Sequence, residues 1–241
     1  MGVPRVLVTG PVEYLDEWCA AARAIGWEAH ACPLITIEEH APDAALADAL
    51  AAAPVEFLCV TSAHAIEFLA ALGARAPYLR TLGCAVVGQR SVSRLRAHGF
   101  RGELNWHASA QNLVEELLAR EARPKSLLWP RGDRSDELAR TLRAEGIRVE
   151  DPLAYTNRPR PASQPPPRTE LVFFASPSAV RAWSELGKDH PAQRALAIGP
   201  TTLEALLGEK TLPFFDIISL PEPTPSAFAA ALQHIDLRPT S

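Results

Sequence analysis

KSLLWPRGDRSDELARTLRAEGIRVEDPLAYTNR, Lys125 to Arg158, is the stretch from which the fold can be read. Leu127 to Trp129 is an apolar run too short for a helix and suited to a buried strand. Pro130 to Ser135 is turn-rich. Asp136 to Glu145 sets Leu138 and Leu142 one turn apart, with charges on the opposite face, which predicts an amphipathic helix. Gly146 stands just past its end, where a positive φ is cheap for glycine. Ile147 and Val149 then alternate with Arg148 and Glu150, the period of a half-exposed strand.

Arg5 to Leu34, RVLVTGPVEYLDEWCAAARAIGWEAHACPL, repeats this order. The strand is Val6 to Val8, the loop Thr9 to Val12, the helix Glu13 to Ile25 and the stop Gly26. Gly26 and Gly146 are 120 positions apart, so the chain starts again near its middle. Further pairs follow. Phe57 to Val60 and Leu171 to Phe174 are strands that lead to Ser62 and Ser176, each expected to cap the next helix, with Pro177 at the first helical position of the second. The strands from Cys84 and Ala195 end at Gly88 and Gly199.

Strand–helix alternation, five times in each half, predicts about ten strands in parallel sheets with helices on both faces. A 2-1-3-4-5 strand order is expected for each sheet, with ligand-facing loops at the strand C-termini. These loops are Thr9–Val12, Thr61–His64, Gly88–Ser91, Pro130–Ser135, Ser176–Ser178 and Gly199–Thr202. Asn157 to Arg168, NRPRPASQPPPR, reads as a stiff extended connector.

At 241 residues the chain suits two domains of ordinary size. A net charge of −4 gives no bulk attraction to nucleic acid or an anionic membrane. No apolar run approaches a membrane span, and the first residues lack a basic region followed by an apolar stretch. The expected location is the cytoplasm. Cys19, Cys32, Cys59 and Cys84 are widely spaced in apolar segments, so reduced core residues are expected. There is no glycine-rich dinucleotide fingerprint, P-loop, nucleophile elbow or metal-like histidine spacing. No metal is expected.

The Thr-Ser and Ser-Pro-Ser loops have two compatible readings. They cap helices, or their free N–H groups hold anions. Arg131 and Arg134 lie in a ligand-side loop, either solvated or meeting a substrate. Tyr155 either packs or lines a cleft. His64 titrates near neutrality or is a plain loop residue.

Taken together, VTSAHAIEFL, VVGQRSVSRLRAHG, GDRSDELARTLRAEGIRV with LAYTNRP, FFASPSAVRAW and AIGPTTLEAL resemble the uroporphyrinogen-III synthase family, in its order and over nearly the whole chain. The resemblance implies two similar flavodoxin-like or Rossmann-like α/β domains with parallel five-stranded sheets, joined by a two-stranded linker. One domain would be residues 1–33 plus 162–241, the other 40–151, with linker strands 34–39 and 152–161. It also implies a monomer that, without a cofactor, closes hydroxymethylbilane, a linear tetrapyrrole with carboxylate side chains, with loss of water and inversion of ring D. Tyr155 would assist departure of the hydroxyl. Thr61, Ser62, Ala63, Ser176, Ser178, Gly199, Thr201 and Thr202 would line the substrate cleft, with Arg131 and Arg134 from the ligand-side loop. Three positions depart from the family's pattern: Gly10 stands where Thr-Arg-Pro is usual, His64 where Asn is frequent, and Gln89-Arg90-Ser91 replaces a small-residue and Thr pattern. The alternative reading is a non-enzymatic two-domain clamp for a small polyanion. A nucleotide-dependent enzyme is disfavoured by the missing phosphate loop.

Overall fold

The computed structural model describes residues 2–160, 166–186, 193–209, 212 and 214–235. Residues 161–165, in the middle of the proline connector and including the end of the expected second linker strand, lie outside them. In chain order the elements are β1 (Arg5–Pro11), α1 (Leu15–Ala24), β2 (Glu28–Glu39), α2 (Ala44–Ala52), β3 (Phe57–Val60), α3 (Ala65–Arg75), β4 (Gly83–Val87), α4 (Gln89–Ala97), β5 (Leu104–His107), α5 (Ala110–Ala119) and β6 (Ser126–Leu128). They continue with β7 (Arg131–Gly132), α6 (Glu137–Ala144), β8 (Arg148–Glu150), β9 (Leu153–Pro159), β10 (Leu171–Phe174), α7 (Pro177–Glu185), β11 (Gln193–Ala197), α8 (Pro200–Gly208), β12 (Phe214–Ser219) and α9 (Pro225–His234). The chain is a mixed α/β fold with two sheets, one of them five parallel strands.

Contacts divide the chain into two compact units. The first is Met1–Thr36 with Arg158–Ser241, the second Ile37–Asn157. The chain passes from one to the other inside β2 and returns inside β9. The His40 N–H donates to the Ala154 carbonyl, and the Arg160 N–H to that of Leu34, each at 2.8 Å. Partners that advance in opposite senses make β2 and β9 antiparallel.

The five-stranded sheet has the order β5-β4-β3-β6-β8, and the other β12-β11-β10-β1-β2-β9-β7. Two expectations need correction. There are twelve strands among the described residues rather than ten, and the second sheet has seven strands rather than five. The order 2-1-3-4-5 holds for β1, β2, β10, β11 and β12, but the five-stranded sheet reads 3-2-1-4-5 along the chain. The repeat supplies the reason. β6 and β8 stand where β1 and β2 do, and β3, β4 and β5 where β10, β11 and β12 do. The chain leaves each repeat after its second strand, so one sheet arrangement is threaded from a different starting strand. β1 also extends further than expected. Thr9 to Pro11, read as loop, is strand, with a register shift between Gly10 and Pro11.

Period-two alternation distributes the core. In the second unit Leu58, Val60, Cys84, Val86 and Leu128 face one cluster, with Phe68, Leu69 and Leu72 of α3. Phe57, Cys59, Ala85, Leu127 and Trp129 face another, with Leu113 and Leu117 of α5 and Leu138 and Leu142 of α6. In the first unit Val6, Val8, Leu171, Phe173 and Leu196 pack on Leu15, Trp18 and Cys19 of α1 and on Phe228 and Leu232 of α9. Each fully buried apolar side chain of this kind contributes about 1.5–3 kcal/mol. Gly26 and Gly146 end α1 and α6 at φ +88° and +80°, as their places in the sequence predict. Among the described residues no helix is long and apolar enough to cross a membrane.

All four cysteines are free and buried. Burial pushes the Cys32 thiol up to about 11 and Cys59 up to about 12, and raises Cys19 and Cys84 as well. Alkylation needs the thiolate. At pH 7.5 the native protein should therefore resist iodoacetamide while unfolded protein takes up four equivalents. Rapid labelling of the native protein would contradict the packing described here.

Candidate functional site

Tyr155 is the centre of a cluster within the second unit. It lies on β9 opposite Gly132 of β7. The approach is close: a Cβ added at 132 would fall 2.6 Å from the Tyr155 ring, so only glycine seats the ring there. The His64 ring also packs against it, centroids 5.3 Å apart at 51°. Burial raises the phenol's pKa above the ordinary tyrosine value. A hydrogen bond with Ser62 works against this, and the Asp133 carboxylate adds to it. The phenol is thus protonated at neutral pH and able to donate.

Ser62 does not cap α3. The cap position is His64, and it has no side-chain cap bond. The Ser62 hydroxyl instead accepts from the His64 N–H at 3.3 Å and serves the phenol. The expectation failed because the chain makes one further turn before the helix begins. Ala63 and Tyr155 both pack against the core cluster of the second unit. Thr61 accepts a hydrogen bond from the Trp129 indole N–H at 2.9 Å. Both line a cavity of about 720 Å³ with Gln111, Glu115, Ser135 and Glu137.

Arg131 donates through Nε to Asp151 at 2.9 Å and through Nη1 to the Gly132 carbonyl at 3.1 Å. Arg143 meets the same carboxylate at 2.6 Å. Arg131 therefore braces the loop beneath Tyr155, and the other N–H groups of its fork can still meet an anion. Arg134 is exposed. Asp133 accepts on one oxygen from both the backbone N–H and the side-chain amide of Asn157, at 3.0 and 2.9 Å. Burial works to raise its pKa, but these bonds and the Arg134 charge outweigh it and hold the carboxyl below the usual range.

Loops of the first unit form a second group. β11, β10 and β1 are neighbours, so their C-terminal ends lie side by side. Ser176 caps α7 as expected, accepting from the Ala179 N–H at 3.2 Å, with Pro177 in the first turn. Ser178 is buried and its hydroxyl lies 3.5 Å from an Arg181 nitrogen. Gly199 precedes α8, which has no side-chain cap. Thr201 is exposed, whereas Thr202 is fully buried and its hydroxyl has no hydrogen-bond partner among the described residues. The two groups are thus Thr61, Ser62, Ala63, Arg131, Arg134 and Tyr155 in one unit, and Ser176, Ser178, Gly199, Thr201 and Thr202 in the other.

Gly10 borders the second group at φ +156°, and an added Cβ would meet the Ala175 Cβ at 2.9 Å. Neither the backbone nor the space suits a side chain. Gly10→Arg should destabilise the protein by about 2 kcal/mol, the sum of backbone strain and overpacking. A chemical-denaturation midpoint equal to that of the parent would refute this.

Sequence reading missed Asp133, Asn157 and the seat at Gly132. The Gly-Asp pair in a turn-rich loop was the only local sign of them. Their roles depend on β7 lying against β9.

Residues 16–227 match the family described as uroporphyrinogen-III synthase HemD. Among solved structures, a mutant uroporphyrinogen III synthase from the extreme thermophile Thermus thermophilus aligns with TM-score 0.66 at 18% identity, over 96% of this chain and 98% of that one. The uroporphyrinogen-III synthetase from Helicobacter pylori aligns with TM-score 0.63 at 15% identity, over 95% and 98%. Such identities establish a shared fold. No curated protein matches the sequence. With a family match that spans most of its length, on a fold shared with those synthases, the chain belongs to the uroporphyrinogen-III synthase family, cofactor-independent cyclising lyases of haem biosynthesis.

Proposed function

We propose that the protein converts hydroxymethylbilane to uroporphyrinogen III, with loss of water and inversion of ring D. The observation that carries this reading is the seat of Tyr155, its ring over Gly132 and against His64, with burial raising the phenol's pKa. A pyrrole nitrogen can itself expel the terminal hydroxyl, giving an azafulvene. Little covalent chemistry is left to the protein. It needs one donor to the departing oxygen and a scaffold that holds the chain for closure through a spiro intermediate. Tyr155 is that donor in this reading.

The other residues hold the substrate. Thr61, Ser62 and Ala63 meet it at the turn before α3. Ser176, Ser178, Gly199 and Thr201 meet its carboxylates at the starts of α7 and α8, where helix N-termini favour anions, with the fully buried Thr202 packed inside the first turn of α8. Arg131 and Arg134 add positive charge. The finer architecture proposed is two flavodoxin-like domains, residues 1–33 plus 162–241 and 40–151, with 34–39 and 152–161 as linker strands. The proposed state is a cytoplasmic monomer.

The test is an isomer assay. The purified protein is given fresh hydroxymethylbilane with no additive, and the oxidised products are separated into type I and type III. Spontaneous closure gives type I, so type III in excess is expected. Type I alone from folded protein would sink the proposal and favour a polyanion-binding clamp.

A further inference from the structure

Tyr155 is fixed by its neighbours on β7 and by the residue two places along its own strand. Asp133 follows Gly132 and takes both N–H donors of Asn157 on a single carboxylate oxygen. This pair of bonds ties the loop after β7 to β9 at the point where Gly132 faces Tyr155. It adds to the backbone pairing of β7 with β9 and to the Arg131 brace, and it is the side-chain tie on the C-terminal side of Gly132.

We propose that Asp133, clamped by Asn157, is a positioning residue that seats the Tyr155 phenol over Gly132 and keeps it a hydrogen-bond donor. The proposal rests on the reading of Tyr155 as the group that assists hydroxyl departure. Two properties of the carboxylate do separate work. Its oxygen is the acceptor of the clamp, and its negative charge disfavours a second negative charge on the phenol. Its own lowered pKa keeps it ionised at neutral pH, where the phenol is protonated.

The other charged and titratable groups around the phenol do not supply this. His64 faces the ring from the turn before α3 and carries no negative charge. Arg131 on β7 is held to Asp151, and Arg134 acts on Asp133 itself. Ser62 is neutral and pulls the phenol the other way. Asp133 is exposed, and it is the one carboxylate among the groups that shift the phenol, with an influence smaller than those of burial and Ser62.

The test uses the full chain and three substitutions. The ionisation of Tyr155 is followed by the ultraviolet absorbance of tyrosinate, as the difference from Tyr155→Phe, which removes the contribution of Tyr14 and Tyr78. Asp133→Asn keeps an acceptor for Asn157 and removes the charge. Its Tyr155 should ionise at lower pH, and the alkaline limb of kcat should move with it while KM stays put. Asp133→Glu keeps the charge and should restore much of the parent titration. Asp133→Ala removes charge and clamp together and should lower kcat by about tenfold to a hundredfold at unchanged KM. If Asp133→Ala does not fold, Asn157→Ala, which deletes only the side-chain donor, should show the same kcat effect in smaller measure.

A Tyr155 titration identical in the parent and Asp133→Asn would overturn the assignment, as would full turnover in both clamp variants. Full turnover in Tyr155→Phe is a separate result. It would overturn the donor role of Tyr155, whereas the absorbance titration would still report whether Asp133 governs the phenol.

Discussion

Tyr155→Phe is expected to lower kcat about a hundredfold and to leave KM close to the parent value, the loss typical of a removed proton donor. The substitution is nearly isosteric. The phenyl ring keeps its place over Gly132 and against His64, and only the hydroxyl and its bond with Ser62 are lost. The departing oxygen then leaves without a partner, which penalises the transition state and not the bound substrate. The sign of the pH dependence follows from the same geometry. Burial raises the phenol's pKa, so the donor form is full below the ordinary tyrosine range. It is lost only as pH rises through the raised value. In the parent, kcat should fall on the alkaline side, and this limb should be absent in Tyr155→Phe. Steady-state rates of type III formation across pH check both. A variant with parent kcat would remove the phenol from the mechanism, and a lowered kcat with a tenfold higher KM would make it a binding group instead.

The largest stability effect is expected at Phe173, which is fully buried on β10. That strand pairs with β1 on one side and β11 on the other, so it cannot shift to fill a void. The Phe173 ring lies 4.8 Å from Trp18 of α1 and 4.4 Å from Phe228 of α9. It thus joins two helices to the sheet. Phe173→Ala should destabilise the first unit by about 4 kcal/mol, because transfer energy and an unfilled cavity add. The apparent Tm should fall by about ten degrees. Phe215→Ala provides the contrast. Phe215 is 51% exposed on β12, with the Arg194 guanidinium 5.4 Å from its ring. Its removal should change stability by less than about 1 kcal/mol. Calorimetry of the two variants decides the matter. Equal Tm values would mean that Phe173 does not anchor the core.

These effects differ in how far the sequence foretold them. The apolar runs Val6–Val8, Phe57–Val60 and Leu171–Phe174, each followed by a helix, are enough to predict an α/β fold, because buried parallel strands read as continuous apolar segments. Ser176 with Pro177, and the glycine stops at 26 and 146, are local chemistry and stand in the structure as they read in the sequence. The repeat of about 120 residues is likewise a property of the string of letters.

Strand order was not legible in the same way. A strand buried on both faces is apolar at every position, so nothing in Leu58 or Val172 says which neighbour it takes. The order 3-2-1-4-5 arises because the chain leaves each repeat after its second strand, and that exit is a decision of the whole fold. The same holds at the candidate site. Arg131, read as a ligand-side cation, turns out to brace its loop through Asp151, twenty residues away. Asp133 and Asn157 meet across 24 residues, and only the pairing of β7 with β9 brings them to Tyr155. Elements, repeat and most caps could be read from the chain alone, since they depend on neighbours along it. Threading, the seat of Tyr155 and the charge that acts on it emerged with the folded molecule, since they depend on contacts between residues that local pattern does not connect.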